Sequence, residues 1–229
     1  MDVLVRYQNV SQKENTLCVY CESRVATTRD HVISKSFFST LPKNMITVPV
    51  CFECNQAKSK DEPLLRDVLV TDLNGHEHPA AKELFQGKVK RSISRNQSEF
   101  ARTARSDSYR QPFFDSKGVY IGNRLAVPVE KERIDRVLGM MVRGLLFHLN
   151  DQCIPQSYVI SAHLIDAAKS EETIRNFVIL PHQGPYSWGD GVCECVFTQA
   201  ADSPATTMWL LRFYRGVLFL VDSSPDGMN

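Results

Sequence analysis

Four of the seven cysteines in the chain form two Cys-x-x-Cys pairs, CVYC at 18–21 and CFEC at 51–54, with 29 residues between them. Two thiolates that are two residues apart can bind one ion from a single tight turn. A second such turn completes a tetrahedral sulfur site of the kind that Zn²⁺ accepts. The alternative is four unrelated buried thiols, which the paired spacing disfavours. The spacing therefore predicts a structural Zn²⁺ ion with four ligands: Cys18, Cys21, Cys51 and Cys54.

Polar side chains near these pairs suit the hydrolysis of a phosphodiester. Asp30 and His31 lie in the run TRDHVI at 28–33, and Asn55 directly follows the last cysteine of the second pair. A hard ion such as Mg²⁺ prefers oxygen ligands and keeps several waters, so one carboxylate and one amide oxygen suffice when a substrate phosphate completes the shell. An imidazole with an ordinary pKa of about 6.5 can accept the proton of an attacking water near neutral pH. We therefore expect Asp30 and Asn55 to hold a divalent cation and His31 to act as general base.

These residues together resemble the HNH endonucleases, whose ββα-metal core begins with an Asp-His or His-His pair and ends with Asn or His just after the last zinc cysteine. The match covers Cys18 to about Glu62 and reads CVYC…RDHVISKSF…ITVPVCFECNQAKSKDE. Its order is also similar to that of phage junction resolvases of the endonuclease VII type. It is similar, too, to bacterial HNH proteins with a VPxCxxCN motif and a distal RGLxFH-like helix, here Arg143–His148.

The HNH resemblance implies a metal-dependent endonuclease that hydrolyses phosphodiester bonds in DNA, in bacteria often for defence. It implies a structural Zn²⁺ ion and a catalytic Mg²⁺ or Mn²⁺ ion at Asp30 and Asn55, with His31 as general base. Because an enzyme of this type cuts one strand per site, a duplex break requires a homodimer or two encounters. Two other functions stay open: a catalytically inactive, zinc-stabilised nucleic-acid-binding module, and a structure-specific junction resolvase.

The sequence departs from the HNH pattern at one position. Many HNH enzymes have an Asn five residues before the third zinc cysteine, where this chain has Ile46, and Asn44 lies two residues earlier. This difference favours the inactive module. Strand geometry adds a further condition, because neighbouring residues point to opposite faces of a strand. Asp30 and His31 can therefore face one phosphate only at a twisted strand end or a bulge.

Basic residues gather between Lys82 and Arg110, where eight Lys and Arg side chains accompany three acidic ones, for a net charge of +5. Each phosphate that a protein neutralises adds salt-dependent affinity for nucleic acid, although many charge runs are only solvated faces or linkers. We expect contacts to the DNA backbone from this segment and from the region of the cysteine pairs. The candidate residues are Lys58, Lys35, Arg29, Lys88, Lys90 and Arg91.

The overall composition limits the class of protein that positions these residues. The chain has 229 residues, of which 43% are hydrophobic and 23% are charged, so it can bury an ordinary core and is not expected to be disordered. Its net charge of +1 excludes a globally basic nucleic-acid binder. Met1–Arg6 contains no basic stretch followed by an apolar run, and no apolar run approaches the about 18 residues that span a bilayer. We expect a cytoplasmic protein without a membrane partner.

The expected fold is α+β. The resemblance implies a ββα-metal nuclease domain with the zinc site at residues 1–75. A basic linker or helical segment at 76–118 follows, and then a C-terminal α+β domain at 119–229 that recognises a substrate or partner. The spacing of apolar residues predicts a helix over Asp61–Asp72 and a long helix over Glu130–Asn150.

Alternating and continuous apolar runs predict the strands of an antiparallel sheet in the C-terminal part. The expected strands are Tyr158–Ile165, Val192–Gln199 and Thr207–Asp222, the last divided by a turn at Arg215-Gly216. Val119–Val129 is expected to form a strand, a turn at Gly122-Asn123 and a second strand, and Pro181–Gly191 a loop.

Overall fold

Helices and antiparallel sheets alternate along the chain in a mixed α+β fold, as the sequence predicts. The computed structural model describes residues 16–95, 98–115 and 118–225. Met1–Arg6, which carries the expectation that a signal peptide is absent, lies outside these residues. Among the helices described, none has the length and apolar character needed to cross a lipid bilayer.

A short hairpin and a long helix form the N-terminal part. β1 (Thr28–His31) pairs antiparallel with β2 (Thr47–Val50), and α1 (Phe52–Thr71) follows directly. Helix α1 begins nine residues before the predicted Asp61, so Pro63 lies inside it and not in its first turn. The proline removes the hydrogen bond to the carbonyl of Ser59, a residue that is exposed and can bind water instead.

The middle segment is a chain of short helices followed by a second hairpin. α2 (Pro79–Leu84) continues through a π-helical turn (Phe85–Val89) into α3 (Lys90–Ser94), and α4 (Glu99–Ser106) comes next. Two strands then pair with each other: β3 (Tyr109–Phe114) and β4 (Tyr120–Ala126).

The turn predicted at Gly122-Asn123 is wrong, because both residues lie within β4 and pair with β3. The chain reverses earlier, at Asp115. The Asp115 carboxylate accepts from the backbone N–H of Val119 at 2.8 Å, and the Asp115 N–H donates to the Val119 carbonyl at 2.9 Å. Asp115 directly follows β3 and Val119 directly precedes β4, so these contacts close the hairpin. The alternation of apolar residues in β4 alone does not indicate where β3 pairs with it.

The C-terminal part contains the long helix α5 (Lys131–Asn150), as predicted, and a five-stranded antiparallel sheet. The elements that follow α5 are β5 (Tyr158–Leu164), α6 (Ala167–Val178), β6 (Gln183–Trp188), β7 (Cys193–Gln199), β8 (Thr207–Phe213) and β9 (Val217–Pro225). The five strands lie in the sheet in the order β5-β9-β8-β7-β6. The Gly/Pro-rich stretch predicted to be a loop therefore contains an edge strand, β6, which its pairing with β7 stabilises.

The N-terminal hairpin and the C-terminal sheet share one continuous hydrophobic core. Val32, Phe37, Leu145 and Phe213 are all fully buried within it. A hydrogen bond also joins the N-terminal and C-terminal parts: the hydroxyl of Tyr214 donates to the Phe37 carbonyl at 2.7 Å. Helix α5 lies between the two parts and packs against α1, β2 and β5.

An ion-pair cluster fixes α5 against α1. Asp61 of α1 is 4% exposed, and its carboxylate accepts from Arg133 at 2.7 Å and from Arg136. Arg133 also pairs with Glu99 of α4. A buried carboxylate with two guanidinium partners is costly to separate, so this cluster resists sliding of the two helices.

Gly144→Ala should destabilise the contact between α5 and the end of β1, because the added Cβ would lie 2.7 Å from Val32 Cγ2. Overpacking of a core costs about 1–3 kcal/mol, and we expect a decrease of that size in the free energy of unfolding in urea. Gly139→Ala in the same helix is the control, since its Cβ would meet Ile160 at 3.4 Å, an ordinary contact. Similar losses in the two variants would contradict the close approach at Gly144.

Candidate functional site

The four paired cysteines converge. Their Sγ atoms all lie within 4.8 Å of one another, and Sγ of Cys21 is 4.0 Å from that of Cys51. A tetrahedral Zn²⁺ ion with Zn–S bonds of about 2.3 Å places its sulfurs about 3.8 Å apart. The cluster could therefore hold a metal ion such as zinc with little movement of the side chains.

Two backbone turns present the sulfurs to each other. In the first turn, the N–H of Cys18 donates to the Arg24 carbonyl and the N–H of Glu22 donates to the Cys18 carbonyl, both at 2.8 Å. The N–H of Val19 donates to the Pro49 carbonyl at 3.1 Å, which attaches this turn to β2. In the second turn, Cys51 caps α1, and its Sγ accepts from the N–H of Cys54 at 3.4 Å.

The sulfurs cannot all carry charge without a cation among them. Burial raises the pKa of the Cys18 thiol, and burial together with the Cys51 sulfur raises the pKa of Cys54. Burial also acts to raise the pKa of Cys21, but hydrogen bonds with Ser23 and the Arg24 backbone outweigh it and bring the pKa to about 6. A divalent ion would remove this conflict by stabilising four thiolates at once.

Arg24 contacts the sulfur cluster, and Arg143 lies close enough for its charge to interact with two of the cysteines. Arg24 Nη1 is 3.9 Å from Sγ of Cys51. Arg143 of α5 is 8% exposed and donates to the carbonyls of Ile154 and Pro155. Burial lowers the pKa of Arg143, while the neighbouring Glu22 and cysteines act in the opposite direction. Because a divalent ion with four thiolates has a net negative charge, these guanidinium groups complement it. The RGLLFH motif contains Arg143, but its sequence gives no sign that this residue lies near the cysteines.

Asp30 is buried and its carboxylate contacts a lysine. The Asp30 Oδ2 atom accepts from the Lys58 ammonium at 2.6 Å and from the Tyr20 hydroxyl at 2.7 Å. Lys58 also donates to the backbone carbonyl of His31 at 2.7 Å. Among the described residues, no hydrogen bond reaches the other carboxylate oxygen, Oδ1, so it remains free to bind a cation.

Asn55 contacts the face of β1 that carries Asp30, at the position of Thr28. Its amide nitrogen donates to Oγ1 of Thr28 at 3.1 Å, and Thr28 and Asp30 are two residues apart on the strand. Within the described part of the chain, the amide oxygen of Asn55 accepts no hydrogen bond. An oxygen from a carboxylate and one from an amide are thus available along one face, a donor set that fits Mg²⁺.

His31 occupies the last position of β1 and is half-buried. Burial and the nearby Lys35 ammonium lower its pKa below the ordinary value of 6.5, so the imidazole is neutral at pH 7. No hydrogen bond joins its side chain to Asp30 or Asn55 in the residues that the structure describes. Neighbouring side chains within a strand point to opposite faces, so His31 and Asp30 can face the same phosphate only near a strand end. His31 is the last residue of β1.

The phosphate contact expected of Lys58 requires a correction. Its side chain is 1% exposed and its ammonium is held by Asp30, Glu62 and the His31 carbonyl, so it cannot reach a phosphate in this arrangement. The other candidates are exposed: Arg29, Lys35, Lys88, Lys90 and Arg91. Arg29 donates to the side chain and the carbonyl of Thr47 on the neighbouring strand β2.

In the described part of the chain, no hydrogen bond joins Asp30 to Ile46 or Asn44, the residues at the departure from the HNH pattern. Ile46 is buried, and its backbone carbonyl accepts from the N–H of Val32 at 3.1 Å. The amide of Asn44 donates to the carbonyl of Ser187 in β6. Asn44 therefore connects the hairpin loop to the C-terminal sheet and does not replace the missing amide near Asp30.

Comparison of the chain with protein families, curated proteins and solved structures gives no match. The roles of Asp30, His31 and Asn55 therefore rest on the contacts of these residues and on the motif resemblance.

Cys54→Ser should abolish metal binding and much of the stability, because it removes one of four sulfur ligands and metal binding supplies about 10 kcal/mol of folding free energy in structural zinc sites. Elemental analysis gives the zinc content per chain, and thermal unfolding gives the stability. Cys153→Ser is the matched control, since Cys153 is half-buried and outside the cluster. A stably folded, metal-free Cys54→Ser protein would contradict the assignment.

Proposed function

We propose that this chain is a metal-dependent HNH endonuclease that hydrolyses phosphodiester bonds in DNA. The observation that carries the proposal is the pair of free oxygens, one from Asp30 and one from Asn55, along one face of the β1–β2 hairpin. His31 follows Asp30 at the end of the same strand, and the four-cysteine cluster connects the hairpin to α1. In this proposal the hairpin and α1 form a ββα-metal core, and the cysteines bind structural Zn²⁺.

Each residue then has a distinct task in hydrolysis. Asp30 Oδ1 and Asn55 Oδ1 would hold Mg²⁺ or Mn²⁺, which when bound neutralises the phosphate and the departing 3′ oxygen. His31, whose pKa is lowered by burial, accepts the proton of the attacking water at its unprotonated ring nitrogen. The exposed Arg29 and Lys35 flank this strand end and bind the DNA backbone.

A second candidate is an inactive zinc-stabilised module that binds nucleic acid. The ion pair between Lys58 and Asp30, at 2.6 Å, favours it because an internal cation already satisfies part of the carboxylate. The exposed basic side chains of the middle segment, among them Lys88, Lys90 and Arg91, would supply the binding surface in both cases. Supercoiled plasmid incubated with Mg²⁺ or Mn²⁺ separates the two functions, since only the enzyme converts it to nicked circles.

His31→Ala should reduce nicking by about 10²–10⁴-fold, the usual contribution of a general base, with zinc content and melting temperature unchanged. His163→Ala is the control. His163 is exposed on β5, where its Nε2 atom is 3.9 Å from an Asp222 carboxylate oxygen. Nicking rates are measured by gel electrophoresis under single-turnover conditions. Wild-type activity in the His31→Ala protein would exclude His31 as the base.

Asn55→Ala should raise the Mg²⁺ concentration for half-maximal nicking by about tenfold or more, because it removes one oxygen ligand, and should leave zinc bound. The control is Asn44→Ala, which loses an exposed hydrogen bond to Ser187 and should keep the wild-type Mg²⁺ dependence. The measurement is nicking rate against Mg²⁺ concentration. An unchanged curve for Asn55→Ala would remove it from the ligand set.

A further inference from the structure

A buried polar cluster connects the cysteine turn, β1 and α1. Its members are Tyr20, Asp30, Lys58 and Glu62, with Lys58 at the centre. The Lys58 ammonium is 2.6 Å from Asp30 Oδ2, 3.1 Å from Glu62 Oε1 and 5.9 Å from the centre of the Tyr20 ring. Its side chain is 1% exposed, so these groups replace water completely as its surroundings.

The cluster determines which oxygen of Asp30 is available. Tyr20 and Lys58 both donate to Oδ2, at 2.7 and 2.6 Å. Two short charge-assisted hydrogen bonds to one oxygen hold the carboxylate in a single orientation, and neither donor bonds to Oδ1. A cation at Asp30 would therefore bind through Oδ1 alone.

Both donors belong to elements that the cysteines fix. Tyr20 stands between Cys18 and Cys21 in the first turn, and Lys58 follows Cys54 by one turn of α1. Asn55 lies three residues before Lys58, so the two project from neighbouring positions of the helix. Along β1 these two residues meet Thr28 and Asp30, respectively. These two contacts fix the position of α1 along β1.

The cluster also sets the charge at the cation site. One ammonium faces two carboxylates, and it is nearest to the one expected to bind the divalent ion. A positive charge a few ångströms from a bound cation opposes binding, and the opposition is strong at a site that excludes water. A site of this kind binds its cation weakly and relies on a substrate phosphate to complete it.

We propose that Lys58 and Tyr20 are positioning residues for the divalent cation: they orient Asp30 so that it binds through one oxygen, and Lys58 keeps the affinity for the free cation low until substrate is present. This inference rests on the proposed nuclease function. It assigns Lys58 a role within the cation site in place of the phosphate contact suggested by its sequence position.

The test measures Mn²⁺ binding directly, without turnover, from the electron paramagnetic resonance signal of free Mn²⁺ added to the zinc-loaded full-length protein. Lys58→Met removes the buried charge and keeps most of the side-chain volume. We expect this variant to bind Mn²⁺ at least about tenfold more tightly, because an unfavourable charge interaction with the cation is removed. We also expect it to nick plasmid more slowly than the wild type at saturating Mn²⁺. Lys60→Met is the matched control, because Lys60 is exposed on the same helix and its loss changes the net charge equally. Its affinity should remain within about twofold of wild type, since solvent and salt screen an exposed charge.

Tyr20→Phe tests orientation without changing charge, and it keeps the inference testable if Lys58→Met does not fold. The variant should retain zinc and bind Mn²⁺ as the wild type does. Its nicking rate at saturating Mn²⁺ should fall by about tenfold, because one of the two donors that fix Asp30 is lost. An unchanged nicking rate would overturn the role of Tyr20.

The outcomes separate the inference from the proposed function. If wild-type protein binds Mn²⁺ only through groups other than Asp30, as shown by unchanged binding in Asp30→Asn, the nuclease proposal fails. If Asp30 is required but Lys58→Met binds Mn²⁺ equally or more weakly while folded, Lys58 is only a structural partner of Asp30 and the inference fails. Tighter binding with slower nicking supports both.

Discussion

The N-terminal part of this fold depends on four sulfurs, three of them on buried cysteines, that lie within 4.8 Å of one another. Thiolates at that separation repel each other, and burial removes the water that would weaken the repulsion. The cluster therefore favours a bound cation over four separate charges. Since one cysteine turn is hydrogen-bonded to Pro49 of β2 and the other begins α1, a cation there fixes the hairpin and the helix in a single step.

Two buried carboxylates pair with cations that belong to other elements of the fold. Asp61 of α1 contacts Arg133 and Arg136 of α5, and Asp30 of β1 contacts Lys58 of α1. A buried pair of this kind adds little net stability, but breaking it leaves an uncompensated charge. These pairs consequently select one register of α1 against β1 and α5, which the apolar contacts alone would specify less strictly.

Sequence spacing was informative wherever the signal was local. The cysteine cluster, the long helix Lys131–Asn150 and the strands of the C-terminal sheet follow from periodicity and motif. The edge strand Gln183–Trp188 and the second hairpin could not be predicted, because their pairing partners decide them. The burial of Lys58 belongs to the same class. In a run as rich in charge as NQAKSKDE, a lysine is indistinguishable from a solvated one until β1 supplies Asp30 and the His31 carbonyl. The catalytic roles of Asp30, His31 and Asn55 stay predictions.

The continuous core limits how the cysteine-bearing segment could be exchanged between proteins. Val32 and Phe37 of that segment are covered by α5 and by the C-terminal sheet, and Gly144 leaves no room for a bulkier neighbour. If the cysteine-bearing segment alone were grafted onto another scaffold, its apolar surface around Val32 and Phe37 would be exposed unless the new scaffold buried it. The motif and its cover therefore form one structural unit, and an exchange that separates α5 from the hairpin would expose their shared apolar surface to water.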